Sequence, residues 1–330
     1  MQIRITKPGL LSTLQDTGRW QYLSQAVPVS GAMDTLSARV ANIGVGNKPD
    51  AAVVEFTYAA AEFIAETNIL IAYAGAGAIL KANDQILPTE RPIYIPAGTV
   101  VQLVNNPLGS RTYVAIAGGW DVPLVLGSRS TYITAGFGGL HGRALQAGDV
   151  LNSIQQLSNT STSIINGMNS GLLNYPNWGL ASHLLLPANK KTIRVIPAKE
   201  FNWFEALSIL DFLSTPYKLS LRSNRMGYHL GGAIIKRKVN QELLSTSVTP
   251  GTIQVTGNGS LVLLMADCQT TGGYPRIAQV AAVDLPLCGQ LKPGDTIYFK
   301  EISREEAEML YLEREEHMHK LTLAVKHKFL

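Results

Sequence analysis

The chain has 330 residues, 46% of them hydrophobic and 16% charged, with 30 Gly and 16 Pro. That composition excludes a disordered chain and fits a compact, turn-rich protein of two domains or subdomains. The net charge of +4 is modest. Lys218, Arg222, Arg225, Lys236, Arg237 and Lys238 gather without a recognition-helix pattern or interleaved aromatics, which argues against nucleic acid and suits a solvated strand edge.

Met1 leads straight into the alternating run Gln2-Ile-Arg-Ile5, with no leader pattern behind it, and no run of about 18 apolar residues predicts a membrane span. A first helix is predicted over Asp34 to Val45, with Leu36, Val40, Ile43 and Val45 near one face and Ser30 or Asp34 as its cap. Strands follow at Ile69–Ala74, Ile93–Ile95, Val100–Val104 and Tyr113–Ala117. Ala74-Gly-Ala-Gly-Ala78 lacks the third glycine and the following helix of a dinucleotide fingerprint. The Ser-, Thr- and Asn-rich stretch Asn152 to Asn174 has weak periodicity and reads as a join. Further strands are predicted at Ile193–Ile196, Ile253–Val255, Leu261–Met265 and Thr296–Phe299, and helices over Phe201 to Leu213 and from Ser303 to about Lys320, the last opened by Ser303-Arg-Glu-Glu306.

These elements predict a mainly β protein: an N-terminal β subdomain over 1–155 with a helix near 34–45, a linker region over 156–190, a C-terminal β subdomain over 191–300 and a helical tail over 301–330. Ile95–Val100, Leu145–Val150 and Leu291–Thr296 repeat one turn phrase, which fits either internal duplication or independent reuse of a tight turn.

Standard catalytic signatures are missing: the sequence has no His-Glu-x-x-His, no Gly-x-Ser-x-Gly, no Cys-x-x-Cys and no Walker lysine motif. Only Cys268 and Cys288 are present, so no disulfide framework or zinc set is expected, and a cytoplasmic location fits. No metal ligand set is seen. The densest polar segment is Ala266-Asp-Cys-Gln-Thr-Thr-Gly-Gly-Tyr-Pro275, behind the apolar run Leu261 to Met265. Gln269, Thr270 and Thr271 offer donors and acceptors, Gly272 and Gly273 admit a close approach, and Tyr274 adds a flat face with a polar tip. A plain turn after a buried strand has the same composition. Gly127-Ser-Arg-Ser-Thr131 and Gly138-Gly-Leu-His-Gly-Arg143 set Arg129 and Arg143 among glycines and hydroxyls, chemistry suited to carboxylate or phosphate. Either arginine is equally suited to brace a loop by pairing with Asp16 or Asp149.

Gln15-Asp-Thr-Gly-Arg19, Val27-Pro-Val-Ser-Gly-Ala-Met-Asp34, Ala41-Asn-Ile-Gly-Val-Gly-Asn47, Gly127-Ser-Arg-Ser-Thr-Tyr132, Ser223-Asn-Arg-Met-Gly227, Pro250-Gly-Thr-Ile-Gln254 and Ala266 to Pro275 occur in that order. Together, across roughly residues 1 to 300, they resemble the biotin-dependent carboxyltransferase-like family, which includes the C subunit of 5-oxoprolinase, also described as the KipI antagonist, and the allophanate hydrolase subunit 2 type. The resemblance implies a cyclophilin-like β-barrel architecture. It also implies the A and B subunits of 5-oxoprolinase as partners, the B subunit KipI-like, and ATP as co-substrate in opening 5-oxo-L-proline to glutamate.

On this reading Arg129, Arg143, Gln269 and Thr271 are catalytic. Arg19, Ser130, Thr131, Arg225, Thr270, Gly272, Gly273 and Tyr274 bind substrate, with the arginines opposite the 266–275 segment. Two alternatives follow from the same family: carboxyl transfer from carboxybiotin to urea, and non-catalytic binding of a KipI-like kinase inhibitor. This sequence has no biotinyl-lysine segment and no fused carboxylase region. It departs from the family pattern at Asn224, His229 and Tyr58-Ala-Ala60.

Overall fold

The computed structural model describes residues 1–239, 241 and 243–329. They form two units, one made of Met1–Gly18, Asp34–Leu185 and the residues from Glu316 onward, the other of Arg19–Met33 and Leu186–Glu315. Among the described residues no helix is long and apolar enough to cross a membrane.

Two antiparallel sheets build the first unit. One runs in the order Val150–Asn152, Gln2–Pro8, Ala61–Ala65, Val100–Asn105, Ala78–Ala82, Gln85–Ile86; the other runs Leu11–Gln15, Val53–Thr57, Arg111–Ile116, Ile69–Gly75, Ile93–Ile95. Strands of the first alternate between buried and more exposed residues, so one face meets the core. In the second sheet Arg111–Ile116 is buried throughout, because its other face is covered by α1 (Thr35–Gly44). Ile5, Phe63, Leu80 and Val101 from one sheet join Val54, Ile71, Val114 and Ile116 from the other in a single core. Each such side chain, fully buried, contributes about 1.5–3 kcal/mol. Asp34 caps α1: it accepts from the Ser37 N–H at 2.9 Å and the Ser37 hydroxyl at 2.6 Å.

The second unit holds a closed seven-stranded barrel in the order Thr192–Pro197, Arg276–Val280, Thr252–Val255, Leu261–Leu264, Gly227–Gly231, Tyr217–Leu219, Thr296–Glu301. The closing pair, Thr192–Pro197 with Thr296–Glu301, is parallel and the other neighbours are antiparallel. Its core includes Ile193, Val195, Tyr228, Ile253, Leu263, Ile277 and Phe299.

The fold is mixed α/β, with one barrel and separate sheets, where the sequence predicted a mainly β protein. One helix falls where a join was predicted, and two predicted helices have other bounds. The stretch read as a join contains α2 (Asn159–Met168), capped by Ser158, whose Oγ accepts from the Ser161 N–H at 2.9 Å. Its Ser, Thr and Asn content is weak in helix propensity, and the helix is held instead by buried Ser161, Ile164 and Met168. The predicted helix over 201–213 splits into a single 3₁₀ turn and α3 (Ala206–Ser214), whose Phe212 stacks on Phe299 at 4.7 Å. After the short α4 (Leu285–Gln290), the last helix, α5 (Arg304–Lys328), runs past Lys320 because no Gly or Pro interrupts it.

The repeated turn phrase owes its shape to Gly98, Gly148 and Gly294, at φ of 83°, 93° and 95°. Gly75 and Gly77 serve a close approach: a Cβ on either would lie 2.4 Å from the Arg111 backbone.

Candidate functional site

In the first unit the strand Leu11–Gln15 ends at Asp16, and this carboxylate organises the loop that carries Arg129. It accepts from the Ser128 and Ser130 hydroxyls and the Arg129 backbone N–H, each at 2.6 Å, and from the Gly18 N–H at 2.8 Å. The Asp16 N–H returns to the Ser130 Oγ at 2.9 Å. Thr131 is tied by its N–H and its hydroxyl to the Leu14 carbonyl. Ser130 and Thr131, predicted to touch substrate, are therefore buried parts of the loop's frame. Arg129 differs. Its guanidinium is half-buried and makes no hydrogen bond or ion pair among the described residues. A fork of donors on a fixed loop, with no protein acceptor of its own, is suited to an anionic oxygen.

Arg143 takes the bracing role that the sequence left open. Its two terminal nitrogens reach the two Asp149 oxygens at 2.7 and 2.8 Å. The Arg143 hydrogen bond holds the Asp149 carboxyl below its usual range, helped by the Gln146 N–H at 2.7 Å.

In the second unit, Arg225 donates from Nε and Nη2 to Asp267 at 2.8 and 3.1 Å, and Nη2 also reaches the Gly31 carbonyl at 2.6 Å. The Asp267 N–H bonds to the Arg225 carbonyl, and the Ser30 N–H to the Ala266 carbonyl, each at 2.9 Å. Three motifs of the sequence, around Ser30, Arg225 and Asp267, thus meet in one buried brace, and Arg225 is committed to it. Arg19 is also buried, at 2% exposure, just before the 3₁₀ turn Trp20–Gln25.

Beyond Asp267 the segment turns outward. Thr270 is buried, and its carbonyl accepts from the Val248 N–H at 2.9 Å. Thr271–Gly272 pairs with Thr246–Ser247, and a Cβ on Gly272 would lie 2.4 Å from Gln254 Nε2, so a larger residue there displaces that amide. Gln269, Thr271, Gly273 and Tyr274 are exposed, with Tyr274 at 51%. The braced strand end therefore displays an amide, a hydroxyl and a phenol at the surface. The organising acids Asp16 and Asp267 and the close neighbour Gln254 were absent from the predicted site. The available signal was the position of each acid within three residues of the end of a buried strand.

The departures from the family pattern have local explanations. Asn224 Oδ1 accepts from the Met226 N–H at 2.8 Å, making a side-chain-closed turn. His229 is an exposed strand residue. Tyr58 and Ala60 sit at φ of 61° and 71°, a region that favours glycine. Among the described residues no group of three His, Cys, Asp or Glu side chains is placed to hold a metal ion.

Residues 25–301 match the family model described as carboxyltransferase domain, subdomain A and B. This chain belongs to that family. It is 37% identical over 305 residues to the C subunit of 5-oxoprolinase from Escherichia coli, covering 92% of this chain and 93% of that protein. Its counterpart in Haemophilus influenzae is 30% identical, with 96% of each covered. Among solved structures, the urea amidolyase of K. lactis superposes with a TM-score of 0.85 at 30% identity over 97% of this chain, which spans 20% of that larger protein.

Proposed function

We propose that this chain is the C subunit of a cytoplasmic, ATP-dependent 5-oxoprolinase, acting with the A and B subunits to convert 5-oxo-L-proline to L-glutamate. The observation that carries this reading is the 37% identity to the C subunit of E. coli 5-oxoprolinase across nearly the full length of both chains. A lactam carbon is a poor electrophile. Phosphoryl transfer from ATP to the lactam oxygen activates it; water then adds at that carbon, and the C–N bond breaks with the nitrogen protonated. A second water releases phosphate from the resulting acyl phosphate.

Arg129 is assigned to the anionic oxygens, since its guanidinium has no other acceptor among the described residues. Within the second unit, Gln269, Thr271 and Tyr274, exposed at the end of the braced segment, are assigned to binding a ligand or partner. Arg143 and Arg225 support the loops, each held by a carboxylate.

The test is reconstitution with the A and B subunits, followed by glutamate release from 5-oxoproline and ATP. Release that depends on this chain supports the proposal, and full release without it sinks it. A second reading, carboxyl transfer from carboxybiotin to urea, is favoured by the TM-score of 0.85 to urea amidolyase. Under it Arg129 would hold a carboxylate, and carboxylation of urea beside a biotin carboxylase is the distinguishing assay.

A further inference from the structure

The family match ends at Glu301, and α5 begins at Arg304, so this 25-residue helix lies outside the matched domain. Its buried stripe is Ala307, Arg314, Met318 and Val325, and Arg314 anchors it by donating to the Val283 carbonyl at 3.0 Å. The opposite face is exposed and carries Met309, Leu312, Glu316, His319, Leu323 and Lys326. These positions are spaced by three, four, three, four and three residues, the a/d seam of a two-stranded coiled coil. Met309 is 64% exposed, Leu312 66% and Leu323 38%, an apolar content a solitary surface helix does not need.

The charge along α5 is divided. Residues 304–316 hold six glutamates and two arginines; residues 317–328 hold three lysines, three histidines and no acid. Antiparallel pairing with an identical helix sets acidic half against basic half twice, as two-fold symmetry requires. With a layers facing d layers, Leu312 meets the partner copy's Leu323, Glu316 its His319 and Met309 the aliphatic stem of its Lys326. Glu313 and Glu306, at the flanking e positions, then face its Lys320 and His327. Parallel pairing would stack like on like. Leu312 also borders a recess of about 690 Å³ whose lining is mostly apolar, with Ile196, Val280 and Tyr311 beside Arg304 and Glu308. The Glu316–Lys320 pair within the helix, 2.6 Å and 64% exposed on both sides, is a surface pair that this exchange replaces at little cost.

We propose that α5 is the interface of a two-fold dimer in which two copies of this chain pair their last helices antiparallel. The reading is independent of the reaction proposed above. The experiment is sedimentation velocity of the full chain from about 1 to 100 µM at low and high salt, with circular dichroism to verify folding. The wild type should be dimeric, with the dissociation constant rising at least tenfold between low and high salt. Glu313→Lys with Glu316→Lys should give a monomer, as should His319→Glu with Lys320→Glu, and mixing the two variants should restore a heterodimer. Met309→Glu with Leu312→Glu should give a folded monomer that no mixing rescues. A monomeric wild type over this range, or dimers of either charge variant alone, would overturn the proposal.

Discussion

The Asp16 carboxylate accepts a hydrogen bond from the backbone N–H of Arg129 at 2.6 Å, across 113 residues of sequence. The acid thereby fixes where the arginine's side chain begins while leaving its guanidinium uncommitted. Support and function are thus separable at adjacent positions. Asp16→Asn weakens four charge-assisted bonds and should lower stability by about 1–3 kcal/mol, together with activity. Arg129→Ala should leave urea unfolding within about 0.5 kcal/mol of wild type, while reducing the turnover of the reconstituted complex at least tenfold. Equal losses of stability in both variants would place Arg129 in the frame instead.

The two arginine–carboxylate braces should respond differently to truncation. Arg225 and Asp267 are each 7% exposed, so Asp267→Ala strands a guanidinium in a buried setting and should cost about 3–5 kcal/mol. Arg143 is 34% exposed, and Arg143→Ala should cost about 1 kcal/mol or less, because water replaces the lost partner. Chemical denaturation of both variants checks the order, and a larger loss at Arg143 would contradict it.

Asp149 makes one part of stability pH-dependent. The hydrogen bond from Arg143 lowers its folded pKa, so its contribution is full above the unfolded value of about 3.9 and is lost as pH falls through the lower folded value. The stability gap between wild type and Asp149→Asn should therefore be level from pH 7 to about pH 5 and narrow progressively as pH falls below about 4. Urea unfolding at each pH measures it. A gap that widens on acidification would reverse the sign.

Much of the fold was legible because its signals are local. The runs Ile69–Ala74 and Leu261–Met265 are apolar stretches bounded by turn residues, and both are strands. Asp34 precedes a helical periodicity and caps it. Helix α2 was hidden because Ser158 and Ser161 read as loop residues until their hydroxyls find the Gly46 and Val45 carbonyls, more than 100 residues away. The candidate site was legible as motifs but not as roles. Arg129, Arg143 and Arg225 look alike in sequence, and their carboxylate partners separate them: Asp267 lies 42 residues from Arg225, whereas Arg129 has none at its guanidinium. No periodicity encodes such pairings.

Cys268 lies inside the densest polar motif of the chain, yet its surroundings make it inert. Burial pushes its thiol up to about 12, with the Asp267 charge adding to the effect, and only 3% of the residue is exposed. Cys288 is fully buried and shifted upward by burial and then by Asp284. A thiolate is the reactive form, so neither side chain presents a nucleophile near neutral pH. Titration of the native protein with a chromogenic disulfide at pH 8 should release less than about 0.1 equivalent of thiol in minutes, and two equivalents after denaturation. Cys268→Ser should leave the activity of the reconstituted complex within about twofold, since Asp267 and Thr271 on either side keep their positions through backbone bonds. Fast labelling of one native thiol, or loss of activity in that variant, would instead make the cysteine part of the site.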